Sequence, residues 1–436
     1  MKNSHFIHIS NSLNMIIAEM SSFLPLFSAS PTSDFSRKRN LPFEKIIRII
    51  LGFQGKTLDK ELIDIGKPAT ASALVQQRGK ILPEAFYYLF RSYAETIPVR
   101  HKYQGYRLIA ADGSDVNTPY NKDSVFYHEG EVVRGVQSKG FNQLHLNTMY
   151  DVLNKTYIDA SIGKNERSKA ISMIDRYAGP KGIFIADRGY PSYNLIGHLD
   201  RQSLLEYLIR MPNSNTFKEV SELPMKELDM DITVRLSTRS QQFCDAYGYR
   251  KVVGKPKFVD ELKNSVTWDF EETSEITYRV VRFKISDDTW ETIITSLDRF
   301  RFPVEKIKEL YHLRWNIETS YREYKYNLGA VNFHARKDEF ILQEIYARLT
   351  MYNYCAAIIM SVKIPHVKSR KGYSYKINFT NVVYLIMVSF RNNGNRPPPD
   401  SLESNIQSYI IPIHPGRRDE RNLKPKSAIY FMYRVA

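Results

Sequence analysis

Hydrophobic positions recur along this chain with two different periods, and the change of period divides it. Up to about residue 100 the spacing is helical. Ile46, Ile47, Ile49, Ile50 and Leu51 follow Leu41-Pro42-Phe43-Glu44 and stop at Gly52 and Gly55, which predicts a helix with one buried face. Pro83 opens another, from Glu84 to Phe90. Between them, small residues from Thr70 to Leu74 precede Gln76, Gln77, Arg78 and Lys80. A helix of this composition suits a DNA groove, and equally the solvated face of a helical hairpin. The apolar stretch 13–27 resembles an export signal, but Glu19 interrupts it and no small-residue cleavage site follows. Residues 1–30 are otherwise open between a disordered segment and a feature particular to this chain.

From Tyr106 the pattern becomes that of strands. Residues 107–111 form a short apolar run ending at Asp112-Gly113-Ser114. Runs 144–150 and 157–162 flank Leu153-Asn154-Lys155-Thr156 and predict a hairpin. A helix is expected over 168–177, then a buried strand over 182–186 that ends in Asp187-Arg188-Gly189-Tyr190, and a strand over 205–210. Residues 213–286 read as a β-rich insertion, with strands near 231–236, 250–259, 266–270 and 276–285. A core strand returns at 291–296, and Pro303 begins a long helix. Apolar helices follow near 349–364 and 382–390, then Arg396-Pro397-Pro398-Pro399 and a basic tail, 417–426. The expected class is α/β. Its parts are a helical N-terminal region (1–100), a mixed-sheet core in two pieces (101–212 and 287–345), the insertion (213–286), and a helical, basic C-terminal region (346–436).

Composition narrows the partners. A formal charge of +15 on 436 residues points to a polyanion, most often nucleic acid, although an anionic membrane surface or acidic polysaccharide fits the bare charge. Two cysteines, Cys244 and Cys355, support neither a disulfide framework nor a zinc site and suit a reducing cytoplasm. No stretch approaches the ~20 uninterrupted apolar residues of a membrane span.

The candidate chemistry is acidic. Asp112 and Asp187 each follow an apolar strand, where ligands gather in open α/β sheets, although either could simply cap a turn. Asp115 is close enough to Asp112 to compete with it. On the long helix, at ~100° per residue, Tyr311, Arg314, Glu318 and Lys325 fall in one stripe roughly 60° wide. Leu310, Leu313, Ile317, Tyr321 and Leu328 form the apolar stripe beside it. Glu323 points elsewhere and is expected to be solvated. Spacing alone leaves an ordinary amphipathic helix in play.

Tyr311-x2-Arg314-x3-Glu318-x6-Lys325 resembles, at every position, the Tyr-Arg-Glu-Lys signature of the insertion-sequence-four family of bacterial DDE transposases. Asp112-Gly113-Ser114 and Asp187-Arg188-Gly189-Tyr190 resemble that family's first two acidic motifs, in the right order, with the β-rich insertion filling the longer gap. The resemblance implies an RNase H-like core, a mixed five-stranded sheet with acids on the first strand, the fourth strand and a later helix. It implies a DNA transposase in which Asp112, Asp187 and Glu318 are catalytic acids and ligands of two Mg2+ ions, with Mn2+ as a substitute. Tyr311, Arg314 and Lys325 would contact the transposon end. Terminal repeats and target DNA would be the partners, and two ends held together imply a homodimer on DNA, in a cytoplasmic, nucleoid-associated setting without a membrane. Some relatives flip out a base onto an aromatic ring, and Trp268 in the insertion is the candidate here, against an ordinary core role. The rival readings are a catalytically silent DNA-binding descendant of a transposase, which would be expected to lack acids, another metal-dependent nuclease, which would not need the four-residue signature, and a carboxylate-pair glycosidase, which leaves Arg314 and Lys325 unexplained.

Overall fold

The structure is a computed structural model and describes residues 4–413 apart from 131, 134–135, 138, 213–216, 255–267, 287–288, 365–372, 395 and 397. The basic tail 417–426 and parts of the expected strands 250–259 and 266–270 lie outside the described residues.

Five strands build the centre: β1 (Arg107–Thr118), β2 (Phe141–Asp151), β3 (Thr156–Ile162), β4 (Gly182–Ala186) and β5 (Leu205–Arg210). Their order across the sheet is β3-β2-β1-β4-β5. β2 is antiparallel to both β1 and β3, whereas β1, β4 and β5 are parallel. This is the RNase H-like arrangement. The β2–β3 hairpin turns at Lys155, whose φ of 55° is in the left-handed region.

Side chains alternate across the sheet, and both faces are apolar. Leu108, Ala110, Ile183, Ile185 and Leu208 join one buried cluster, and Ile109, Ala111, Phe184, Ala186 and Ile209 join the other. The second face is covered by α6 (Glu166–Asp175) and α7 (Tyr193–Arg201), each started by a side-chain cap, from Asn165 and Ser192. The first is covered by α10 (Val304–Leu313), α11 (Asn316–Tyr326) and the long α12 (Asp338–Ser361).

The N-terminal helices share that first core. α1 (Ser4–Ser22) buries Leu13, Ile17 and Met20 and packs on α5 (Pro83–Thr96) and α12. Of the apolar stretch 13–27, Leu13, Ile16, Ile17 and Met20 thus form the inner face of a packed helix, whereas Met15, Phe23 and Leu26 are exposed. α2 (Phe43–Leu51) and α3 (Leu58–Ile63) complete the layer with α4 (Ala71–Arg78). Arg78, expected on a solvated or DNA-groove face, is turned inward: it is fully buried and donates to Gln343, Glu344 and the Phe340 carbonyl. Burying a guanidinium requires a charged partner, and Glu344 supplies it.

The insertion is β-rich but continues the central sheet. β6 (Leu228–Ser237) and β7 (Thr273–Ser286) join it through β8 (Thr289–Thr295), which pairs with β5 over Leu208 to Arg210. Two short helices, α8 (Lys218–Ser221) and α9 (Gln241–Tyr247), lie where the sequence suggested only strands and turns.

Candidate active site

β1 and β4 pair only as far as Ala110 and Ile185. β4 then ends, while β1 runs on to Thr118 with β2 as its ladder partner. A cleft opens between the two at the carboxyl edge, the usual ligand position in such sheets. Asp112 therefore lies within β1 rather than at its end, two residues past the last β1–β4 pair. Asp187 is the first residue after β4. Its Oδ1 accepts the Arg188 N–H at 2.7 Å, and Asp112 Oδ1 accepts the Gly113 N–H at 3.0 Å.

The long helix expected beyond Pro303 is two helices. Between α10 and α11 the backbone bonds Arg314→Tyr311, Trp315→His312 and Ile317→Arg314 all reach back three residues. This tighter winding turns the chain further per residue than an α-helix, so the four signature residues do not share one continuous helical stripe. They still converge. The Arg314 side chain is 3% exposed and sits among the acids: Nη1 is 3.9 Å from Asp112 Oδ2, and Nη2 is 3.8 Å from Asp187 Oδ2 and 3.2 Å from Glu318 Oε1. Tyr311 donates to Asp187 Oδ1 at 3.1 Å, and Lys325 Nζ to Ser114 Oγ at 2.8 Å.

Several neighbours were not read from the sequence. The Tyr321 hydroxyl donates to the Asp112 carbonyl at 2.6 Å and lies 2.8 Å from Thr148 Oγ1, locking α11 onto β1 beneath the acid. Arg210, at the end of β5, pairs with Glu291 at 2.9 Å and approaches Asp187 to 3.9 Å. Asp115 does not join the acids around Arg314; it holds His145 Nδ1 at 2.7 Å, and Glu166 Oε1 holds the other ring nitrogen at 2.9 Å. Those two bonds, with Glu166 the stronger influence, raise the His145 pKa against the effect of its burial. Glu323 is not solvated: it is half-buried, accepts the Tyr352 hydroxyl at 2.8 Å, and burial raises its pKa. Trp268 is buried, donates to the Glu271 carbonyl at 2.8 Å and packs edge-on against Phe270, so it presents no face to a base. Trp315, beside Arg314, is 39% exposed.

Charge in the cleft is unbalanced. Burial pushes Asp112 up to about 6; Arg314 and the Gly113 N–H oppose this, while Glu166 and Glu318 add to it. Arg314 and Arg210, the latter already paired with Glu291, do not neutralise Asp112, Asp187, Glu318 and Glu291 together, and hard oxygen donors of this kind are what divalent cations bind. The donor chemistry fits such an ion. Among the described residues no three acidic, His or Cys side chains are drawn into a closed cage; Arg314 lies among Asp112, Asp187 and Glu318.

Residues 103–354, more than half of the chain, match the sequence profile of the transposase DDE domain. The chain belongs to that family. Transposase InsG of insertion sequence element IS4 from Escherichia coli strain K12 is 24% identical over 379 residues, 80% of this chain and 76% of that one. A cryo-EM structure of the piggyBac transposase synaptic complex with hairpin DNA superposes on 95% of this chain and 86% of that one, at 12% identity and a TM-score of 0.44. The protein is thus a DDE-type DNA transposase, an enzyme class that cleaves and joins DNA strands with divalent metal ions. Among the described residues no helix is long and apolar enough to cross a membrane.

Proposed function

We propose that Asp112, Asp187 and Glu318 are the catalytic acids of this transposase and hold two Mg2+ ions, which Mn2+ can replace. One observation carries the assignment: the single buried guanidinium of Arg314 lies within 3.9 Å of a carboxylate oxygen of all three, although they come from a strand, a strand end and a helix. The ions would supply Lewis-acid neutralisation of the charge that develops as one phosphate–oxygen bond forms and another breaks. The chain's own groups orient that exchange. Water attacks the phosphodiester at the transposon end and frees a 3′-OH, which then attacks a phosphodiester of the target strand in line. Tyr311 keeps Asp187 oriented. With the acids occupied by divalent ions, the planar fork of Arg314 would be free to grip a DNA phosphate. Lys325, held at the cleft by Ser114, provides a second phosphate contact.

In this reading residues 1–100 contribute DNA binding, 101–212 and 287–345 catalysis, 213–286 the insertion, and 346–436 a basic flank. Two chains pair on DNA so that both transposon ends, with their terminal repeats, are held together, in the cytoplasm at the nucleoid. Glu318→Gln tests the assignment because it keeps the side chain's shape and removes its charge. Cleavage of the transposon end is expected to fall at least 100-fold while the melting temperature is kept; full cleavage by a folded variant would refute the triad.

A further inference from the structure

A fourth carboxylate reaches the cleft from the opposite layer. Asn165 caps α6 by accepting the Ser168 N–H, which puts Glu166 in the first turn. Arg167 Nε donates to the Gly189 carbonyl at 2.8 Å and fastens that turn to the loop carrying Asp187. Glu166 Oε1 is held by His145, itself held by Asp115, while Oε2 has no hydrogen-bond partner among the described residues. The side chain bridges the two aspartate motifs at their glycines. A Cβ on Gly113 would lie 2.5 Å from Oε1 and 2.2 Å from His145 Nε2, and one on Gly189 would lie 3.5 Å from Oε2. Glu166 is also near enough to Asp112 to act on its charge.

An acid in the first turn of a helix is favoured by the helix dipole alone. That reading accounts for the residue type. It does not account for a histidine clamp on one oxygen, or for a glycine beside Asp112 that leaves room for both side chains.

We infer that Glu166, clamped by His145, is a fourth acidic residue of the cation site and tightens binding of the divalent ion that this family uses. The inference rests on Asp112, Asp187 and Glu318 being that site. Outer ligands and the groups that orient them typically govern metal affinity by 10–100-fold.

The test is Mn2+ titration of the full-length protein, with free ion counted by electron paramagnetic resonance, beside Glu166→Gln, His145→Gln and Asp187→Asn. Glu166→Gln is expected to weaken Mn2+ binding about 10–100-fold, and His145→Gln, which leaves the carboxylate but loosens its clamp, by a smaller factor. Wild-type binding by folded Glu166→Gln, with Asp187→Asn impaired, would overturn this inference and leave the triad standing. Wild-type binding by Asp187→Asn would instead overturn the triad and the inference with it. Should Glu166→Gln fail to fold, His145→Gln decides, and unchanged Mn2+ binding there counts against the clamp.

Discussion

Gly113→Ala puts a methyl group where two side chains already stand. The new carbon would be 2.2 Å from His145 Nε2, 2.5 Å from Glu166 Oε1 and 2.9 Å from His145 Cε1. No carbon tolerates such distances, so the imidazole must swing away. It is pinned at both nitrogens. The bond to Asp115, whose side chain is 57% exposed, is worth about 0–1 kcal/mol, and overpacking of a filled site costs about 1–3 kcal/mol. Unfolding entropy is about 2.1 cal/mol/K per residue, roughly 0.9 kcal/mol/K for this chain, so the melting temperature falls by only about 1–4 °C. The functional cost is larger, because the clash displaces Glu166 and strains the backbone next to Asp112. A misplacement of ~1 Å at a reacting centre costs on the order of 100-fold. Calorimetry and metal-dependent cleavage of a labelled transposon end should therefore dissociate, with near-wild-type melting and cleavage about 100-fold down. Cleavage within threefold of wild type would show that the crowding at Gly113 is relieved without consequence and that the clamp has no part in the reaction.

Away from the cleft, Glu344 is buried between Arg78, Arg348 and His334. Glu344→Ala leaves buried cations unpaired and should destabilise by about 3–5 kcal/mol; calorimetry showing no loss would contradict that account. Burial opposes ionisation of His334, but Glu344 and Glu61 outweigh it and raise its pKa above 6.5. Its contribution to stability is therefore full below about pH 6.5 and lost as pH rises through the folded pKa. Glu344 is shifted the other way: burial would raise it, but His334, Arg78 and Arg348 hold it well below 4.5. Its contribution is full above about pH 4.5 and lost on strong acidification. Melting temperature against pH should thus decline above pH 6.5, and His334→Gln should flatten that limb; an unchanged limb would assign it to other groups.

What the sequence made visible follows from how far each signal reaches. Strands 182–186 and 205–210 stand at their observed bounds because both faces are buried, so each is an unbroken apolar run between turns. β1 looked shorter than it is. Beyond Ala111 its polar residues, Asp112 to Asp115, read as a turn, yet the ladder to β2 continues through backbone groups that carry no side-chain signal. The break at Arg314 was hidden for a related reason, since neither Gly nor Pro marks it and its i→i−3 bonds are an observation of the backbone alone. That Asp112, Asp187 and Glu318 come together around Arg314 was foreshadowed by motif spacing, which survives that break because the chain folds the signature residues back to the same cleft. His145 and Glu166 were not. They meet Gly113 only across the sheet, and the one local trace of them is the absent side chain at Gly113. Arg78 and Glu323 went astray because each finds its partner on α12, far along the chain.

The account's central claim, that Asp112, Asp187 and Glu318 form one metal-dependent site for cutting and joining DNA, is tested most directly with labelled DNA carrying the element's end. It is incubated with the wild-type protein or Asp187→Ala, with and without Mg2+ or Mn2+. The account predicts end cleavage and strand-joined products that require the metal and disappear in the variant. Binding without cleavage at either metal, or cleavage that survives in folded Asp187→Ala, would contradict it.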